Sequence, residues 1–383
     1  MRVEGNTTIL LFGPGRFRSN EKAELFGATV SDINVPEGKI YPLYLANDAE
    51  VEISGTFFLV NGKTIPKSWE DFVKEDYERI FVIGDVDKGK SSFCVYAMNK
   101  LPVKEAIDAD IGQNDIVHPA AMGLGVRESE VYSLSQLKLK DAVFVGVISP
   151  AGFEARCLKA FKYLTKKAGD SVIVDTTGWI KGKKAREYKL AKIEIFEPDV
   201  IVSFDFNPYF VEDYEVYQVE SFVIKKRDRD TRFYYRGKKY EEWLKDAEIF
   251  EISVEDIRLV NTTLFKGEKV EDEILNSFGD VIYAEKGYDF LNIYSENFEI
   301  STEVLKALRE YFNVAEINIV KPSELENLFL GLRDEKYVSP GLLKEIDFEN
   351  RRIKILSRSV AKIITFGNFK LDENLKEVVV RVP

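Results

Sequence analysis

The chain has 383 residues, a formal net charge of −11, 45% hydrophobic and 31% charged residues. That is a globular composition, too long for one ordinary core, so two or three domains are expected. One histidine, His118, and two cysteines, Cys94 and Cys157, exclude a disulfide framework, a four-thiolate site and histidine-based zinc chemistry. No apolar run approaches the ~20 residues of a membrane helix. Met1-Arg2-Val3-Glu4-Gly5 carries no apolar signal core, so a cytoplasmic protein without membrane contact is expected. His118 reads as a surface or loop residue, which leaves a carboxylate as the general base of any catalysis. The acidic balance argues against a uniformly nucleic-acid-binding surface. Basic charge is nevertheless concentrated at 181–192 and 225–240, the latter including Lys225, Lys226, Arg227 and Arg229; a solvated helix face is the plain reading of each run.

In chain order, residues 1–75 read as a β-rich domain. Gly13-Pro14-Gly15, Pro36-Glu37-Gly38 and Asn61-Gly62 are turn signals between β-type runs such as Tyr41 to Leu45 and Thr56 to Val60. Residues 76–246 alternate strands (79–83, 104–109, 142–148, 171–175, 199–204, 217–224) with helices. The helix at 154–168 is expected to bury Ala155, Leu158, Phe161 and Leu164 and to end at Gly169; another covers about 183–196. Such alternation predicts an α/β core with a mainly parallel sheet, binding its ligands beyond the carboxyl ends of the strands. Residues 247–383 read as a second β-rich domain. Its strands are expected near 250–260, 281–294, 352–357 and 375–382, with a helix at 302–312 capped by Ser301.

The most specific motif is Gly84-Asp85-Val86-Asp87-Lys88-Gly89-Lys90-Ser91, which fits G-x-x-x-x-G-K-[ST]. A strand at 79–83 precedes it and a helix from Lys90 to Lys100 follows, with Phe93, Val95, Tyr96 and Met98 among its apolar residues. The loop amides and helix start, Gly84 through Ser92, are candidates for cradling phosphates. Lys90 would reach the β- and γ-phosphates and Ser91 would ligate magnesium.

The next strand runs into Asp108-Ala109-Asp110-Ile111-Gly112-Gln113. Two residues apart on a strand, Asp108 and Asp110 are expected on one face, one for magnesium or its waters, one to accept a proton from an attacking hydroxyl. Polar groups also close the strands at Ser149-Pro150 and at Asp175-Thr176-Thr177-Gly178-Trp179. Trp179 is a candidate stacking platform for a nucleobase. Arg232 and Arg236 share a helix face and, with Arg227 and Arg229, form a candidate lid over the phosphates. The neighbouring Phe233, Tyr234 and Tyr235 are expected to pack that lid.

Taken together these elements resemble the polynucleotide 5′-hydroxyl kinases that include the pre-mRNA cleavage-factor kinase, the ribosomal-RNA-processing kinases and their archaeal relatives. Glu24-Leu25-Phe26-Gly27 and Leu328-Phe329-Leu330-Gly331-Leu332 also look similar. The resemblance implies a P-loop kinase core between two β-rich domains, divided at 1–75, 76–246 and 247–383. It implies magnesium, ATP or GTP as donor, RNA and possibly DNA 5′-hydroxyl ends as acceptor, and RNA-processing protein partners. Asp110 would deprotonate the 5′-hydroxyl, with Lys90, Arg232 and Arg236 as its catalytic companions and Ser91 with Asp108 at the metal. Gln113, Ser149 and Trp179 would hold the acceptor end. Asp85 departs from the family, which often has proline there. Two other readings are a nucleotide-binding scaffold that transfers nothing, and a regulatory GTPase. The second lacks its guanine-reading element, because Asn99-Lys100 is followed by Leu101-Pro102 on the first helix.

Overall fold

The computed structural model describes residues 1–222 and 228–383. Lys225, Lys226, Arg227 and the end of the expected strand 217–224 lie outside the described residues. The chain forms two compact units: residues 1–143 with 149–235, and residues 144–148 with 236–383.

In the first unit, seven strands between Arg2 and Asn61 form an antiparallel sheet. The central sheet contains β1 (Arg79–Ile83), β2 (Glu105–Asp108), β3 (Ala121–Val126), β4 (Lys138–Phe144), β5 (Val172–Asp175), β6 (Val200–Phe204) and β7 (Val216–Val219). Their spatial order is β4-β3-β2-β5-β1-β6-β7. The five strands from β2 to β7 in that order run parallel, and β3 is antiparallel to β2. The expected mainly parallel core is therefore present. One apolar core serves both sheets: Ile9, Phe17 and Leu43 of the first pack in the same cluster as Ile80, Val82 and Phe93 of the second, bridged by Trp69 and Phe72.

Helix α1 (Lys90–Lys100) begins at Gly89, whose φ of 94° suits glycine. Helix α2 (Glu154–Lys167) buries Cys157, Ala160, Phe161 and Leu164, so its inner face is rotated from the expected one and Ala155 is exposed. Gly169 is not its cap. Ala168 ends the helix in extended conformation, and the Gly169 N–H donates to Glu105 Oε2 at 2.8 Å. Helix α3 (Lys183–Phe196) matches its expected span. His118 corrects another expectation: it is fully buried, because the loop after β2 folds inward.

The second unit holds a seven-stranded sheet and a four-stranded sheet. The expected strand 281–294 is a hairpin, Tyr283–Lys286 and Phe290–Tyr294, closed where the Gly287 N–H donates to Phe290 O. Run 250–260 breaks at a short turn, 254–256. Strands Glu316–Val320, Leu328–Arg333, Tyr337–Asp347 and Ile363–Leu371 complete the sheets. Helix α4 (Arg229–Leu244) crosses the division of the chain, and α5 (Thr302–Phe312) starts at Ser301, whose Oγ accepts the Val304 N–H. Residues 144–148 belong to this unit. The expected strand 142–148 ends early, at Phe144, because Gly146 O accepts the Asn368 N–H instead of continuing the central sheet.

Candidate active site

The phosphate loop leaves the carboxyl end of β1, the middle strand of the parallel set. Neighbouring loops fasten it. Lys88 Nζ pairs with Asp205 Oδ2 at 2.6 Å beyond β6, and Lys88 O accepts from Ser221 Oγ at 2.8 Å. Asp85 Oδ1 accepts the Val86 N–H, and Lys181 pairs with Oδ2; the Lys181 ammonium is the chief cause holding the Asp85 carboxyl below its usual range. Lys90 is buried, and its Nζ donates to Asp85 O at 3.0 Å. Ser92 follows in the first turn of α1, half-buried like Ser91.

Two strand ends meet beside the loop. Asp175 ends β5 and pairs in register with Asp108 of β2. Ser91 Oγ donates to Asp175 Oδ2, while Asp175 Oδ1 is buried without a hydrogen-bond partner. Burial raises Asp175 to about 6, against the pull of Lys90 and the Ser91 hydrogen bond. Asp108 is also raised, by burial first and by Asp175 and Asp110 next. Its two oxygens accept the backbone N–H groups of Asp110 at 3.0 Å and Asp115 at 2.6 Å. The geometry thus sets Asp175, rather than the expected Asp108, against Ser91. The sequence placed Asp175 inside a quoted motif, but only the strand order, with β5 directly beside β1, shows that it faces the loop.

Asp110 and Asp108 do not share a strand face, because β2 ends at Asp108. Asp110 lies in the following turn, where Oδ1 accepts from the Gly112 N–H at 2.9 Å and the Gln113 N–H at 3.1 Å; Oδ2 takes no part in these bonds. Trp179 is half-buried, with its ring 5.8 Å from that of Tyr188. Gly178 packs so tightly on the loop that an added Cβ would lie 2.6 Å from Val86 N. Ser149 is exposed, ahead of α2.

Arg232 on α4 reaches the loop directly, with a guanidinium nitrogen 2.7 Å from Asp87 Oδ2. The helix start is docked by Tyr234, whose hydroxyl donates to Glu37 Oε1, and by Tyr235 against Gly38. Both tyrosines pack against the turn at residues 37–38. Arg236 follows one turn later on α4. It belongs to the second unit, where Nε pairs with Glu377 Oε1 at 2.6 Å. A cavity of about 390 Å³ opens beside Asp85 and Lys88, lined further by Lys181, Arg186, Tyr209 and Phe210. Among the described residues no three His, Cys, Asp or Glu side chains gather as a metal-binding cluster, and no helix is long and apolar enough to cross a membrane. Asn99 does structural work: its amide donates to Phe26 O and Val131 O.

A glycine-rich loop on the middle strand of a parallel set, with a carboxylate from the adjacent strand on its serine, defines a P-loop nucleotide-binding core. Residues 84–248 match the family model described as mRNA cleavage and polyadenylation factor CLP1 P-loop. A polyribonucleotide 5′-hydroxyl-kinase of Pyrococcus furiosus is 31% identical over 78% of this chain and 89% of its own. One of Methanocaldococcus jannaschii is 30% identical over the same shares. Among solved structures, Clp1p in an extended interface with Pcf11p has the same fold, with a TM-score of 0.62 at 12% identity, covering 97% of this chain and 98% of that one. The chain belongs to the polyribonucleotide 5′-hydroxyl-kinase family, of the CLP1 P-loop type.

Proposed function

We propose that the protein transfers the γ-phosphate of ATP or GTP to the 5′-hydroxyl end of RNA, and also of DNA. The observation that carries this reading is the meeting of Ser91, Asp175 and the Asp108–Asp110 turn at adjacent strand ends beside the loop. Loop amides from Gly84 to Ser91 and the start of α1 bind the donor phosphates, with Lys90 neutralising the β- and γ-oxygens. The orphaned Asp175 Oδ1 beside the Ser91 hydroxyl fits a hard cation that keeps most of its ligands as phosphates and waters. Held by Ser91 and Asp175, magnesium would supply positive charge that offsets the donor phosphates. Asp108, with both oxygens on backbone N–H groups, shapes the acceptor turn.

Asp110 accepts the proton of the 5′-hydroxyl through Oδ2 while Oδ1 keeps the turn closed. Gln113, Ser149 and Trp179 orient the terminal nucleotide, Trp179 by stacking on its base. Arg232 exchanges Asp87 for the transferring phosphoryl group and spreads its charge. Arg236, taken up by Glu377, anchors its end of the helix. Positioning and charge neutralisation supply most of the rate. A cytoplasmic location and protein partners in RNA processing belong to the same proposal, with the chain organised as sequence segments 1–75, 76–246 and 247–383.

The test is transfer of labelled γ-phosphate to matched 5′-hydroxyl RNA and DNA oligonucleotides, with ATP and GTP compared. Asp110→Asn should lower transfer at least a thousandfold and leave nucleotide binding within a few-fold of the unsubstituted protein. Full activity in that variant removes Asp110 as the base. Nucleotide binding without labelled product under any condition would make the chain a scaffold.

A further inference from the structure

Helix α3 buries two lysines completely. Lys189 and Lys192 are both 0% exposed, on a face otherwise made of Ala185, Tyr188, Ile193 and Phe196. A buried ammonium costs several kcal/mol in desolvation, and an apolar side chain would pack there at less cost. Packing therefore does not account for them, but their partners do.

Lys189 Nζ donates to Thr177 O at 2.7 Å, with Thr177 Oγ1 at 3.4 Å. Lys192 Nζ reaches Ala109 O at 3.4 Å, and its ammonium lies over the rings of Tyr188, at 4.6 Å, and Phe161, at 5.1 Å. Thr177 sits between Asp175 and Trp179; Ala109 sits between Asp108 and Asp110. Each lysine thus grips the middle of one of the two strand-end segments that carry the acceptor chemistry. The Ala109 N–H donates to Asp175 O at 2.9 Å and joins the two segments. Burial drives the loss of the lysine protons, and on Lys189 the neighbouring Lys192 and Lys90 add to it; Cys157, Asp110 and Asp108 oppose that loss at Lys192, and Asp110 and Asp175 at Lys189.

We infer that Lys189 and Lys192 are positioning residues for phosphoryl transfer, holding Thr177 and Ala109 so that Trp179 and Asp110 address one acceptor end. The inference rests on the kinase reading above.

Lys189→Met and Lys192→Met separate this role from a structural one. Positioning predicts variants that melt at or above the wild-type temperature, a donor KM within twofold, and a single-turnover transfer rate about 100-fold lower, the scale of a 1 Å misplacement. A rate within threefold of wild type, or a lower melting temperature with the rate unchanged, overturns it. Should a methionine variant fail to fold, Lys192→Ala with added methylammonium decides: saturable recovery of at least tenfold supports the role and no recovery overturns it. Wild-type protein that labels no RNA refutes the kinase reading separately. The Trp179 indole N–H resonance of Lys189→Met still tests the positioning: a displaced signal supports it and an unchanged one overturns it.

Discussion

Lys192 links function to stability at a single residue. Its ammonium is lowered from 10.5 to about 8, chiefly by burial. Between those values the unfolded chain holds more protons than the folded one, so stability rises with pH across that window. Below pH 8 the folded protein carries the whole cost, on the order of 3 kcal/mol at about 1.4 kcal/mol per pH unit. Lys192→Met should therefore exceed wild type in stability most at pH 7, and the margin should shrink steadily from pH 8 to 10.5. Urea unfolding at several pH values reads this directly; a margin independent of pH would mean that burial does not shift the proton affinity of Lys192. Such residues were legible in principle. Positions 185, 188, 189, 192, 193 and 196 form one helical stripe, with lysine at two of them. The basic run was instead read as a solvated face, which holds for Lys181, Lys183 and Lys184 and fails for these two.

At the scale of elements, the phosphate loop was legible because glycine, lysine and serine are each required at fixed places in it. Helices 90–100, 183–196 and 302–312 were legible in the sequence, the last also from its Ser301 cap. Strand ends were less so, since an apolar run does not tell where its backbone hydrogen bonds go: residues 145–148 stay apolar while leaving the central sheet. The distinction between Asp175 and Asp108 depends on strand order, β5 beside β1 and β2 one strand further away, which no local spacing encodes. Strand order also brings two loops into contact. Gly178 after β5 lies on the phosphate loop, where a Cβ would sit 2.4 Å from Val86 Cγ2 and 2.7 Å from Val86 Cα. The obstacle includes backbone, so Gly178→Ala should displace the loop. Steady-state kinetics should show kcat/KM for the triphosphate reduced 10- to 100-fold, with unfolding free energy changed by about 1 kcal/mol or less. Unchanged kinetics would show that the loop yields freely at Val86.

On the scale of the whole molecule, composition predicted more than one folding unit but not its boundaries. Residues 1–75 read as a separate β-rich segment, yet Trp69 and Phe72 join their core to that of the central sheet. Such merging is invisible in sequence, because each sheet's apolar alternation is satisfied whichever neighbour covers it. The second unit has its own polar centre. Glu377, with 3% of its side chain exposed, accepts two bonds from Arg236 and one from the Tyr240 hydroxyl at 3.0 Å. Removing one partner of a buried pair strands the other charge and costs about 3–5 kcal/mol, whereas replacing both with apolar groups costs far less. Glu377→Ala should therefore destabilise residues 236–383 by that amount, and Arg236→Met in the same chain should restore most of it. Hydrogen exchange resolved to peptides measures the effect in this unit alone. If Arg236 is an anchor, the double variant keeps phosphoryl transfer within a few-fold of wild type. If transfer is lost while the unit remains protected, Arg236 acts on the phosphates as the sequence suggested, and its pairing with Glu377 is a resting position.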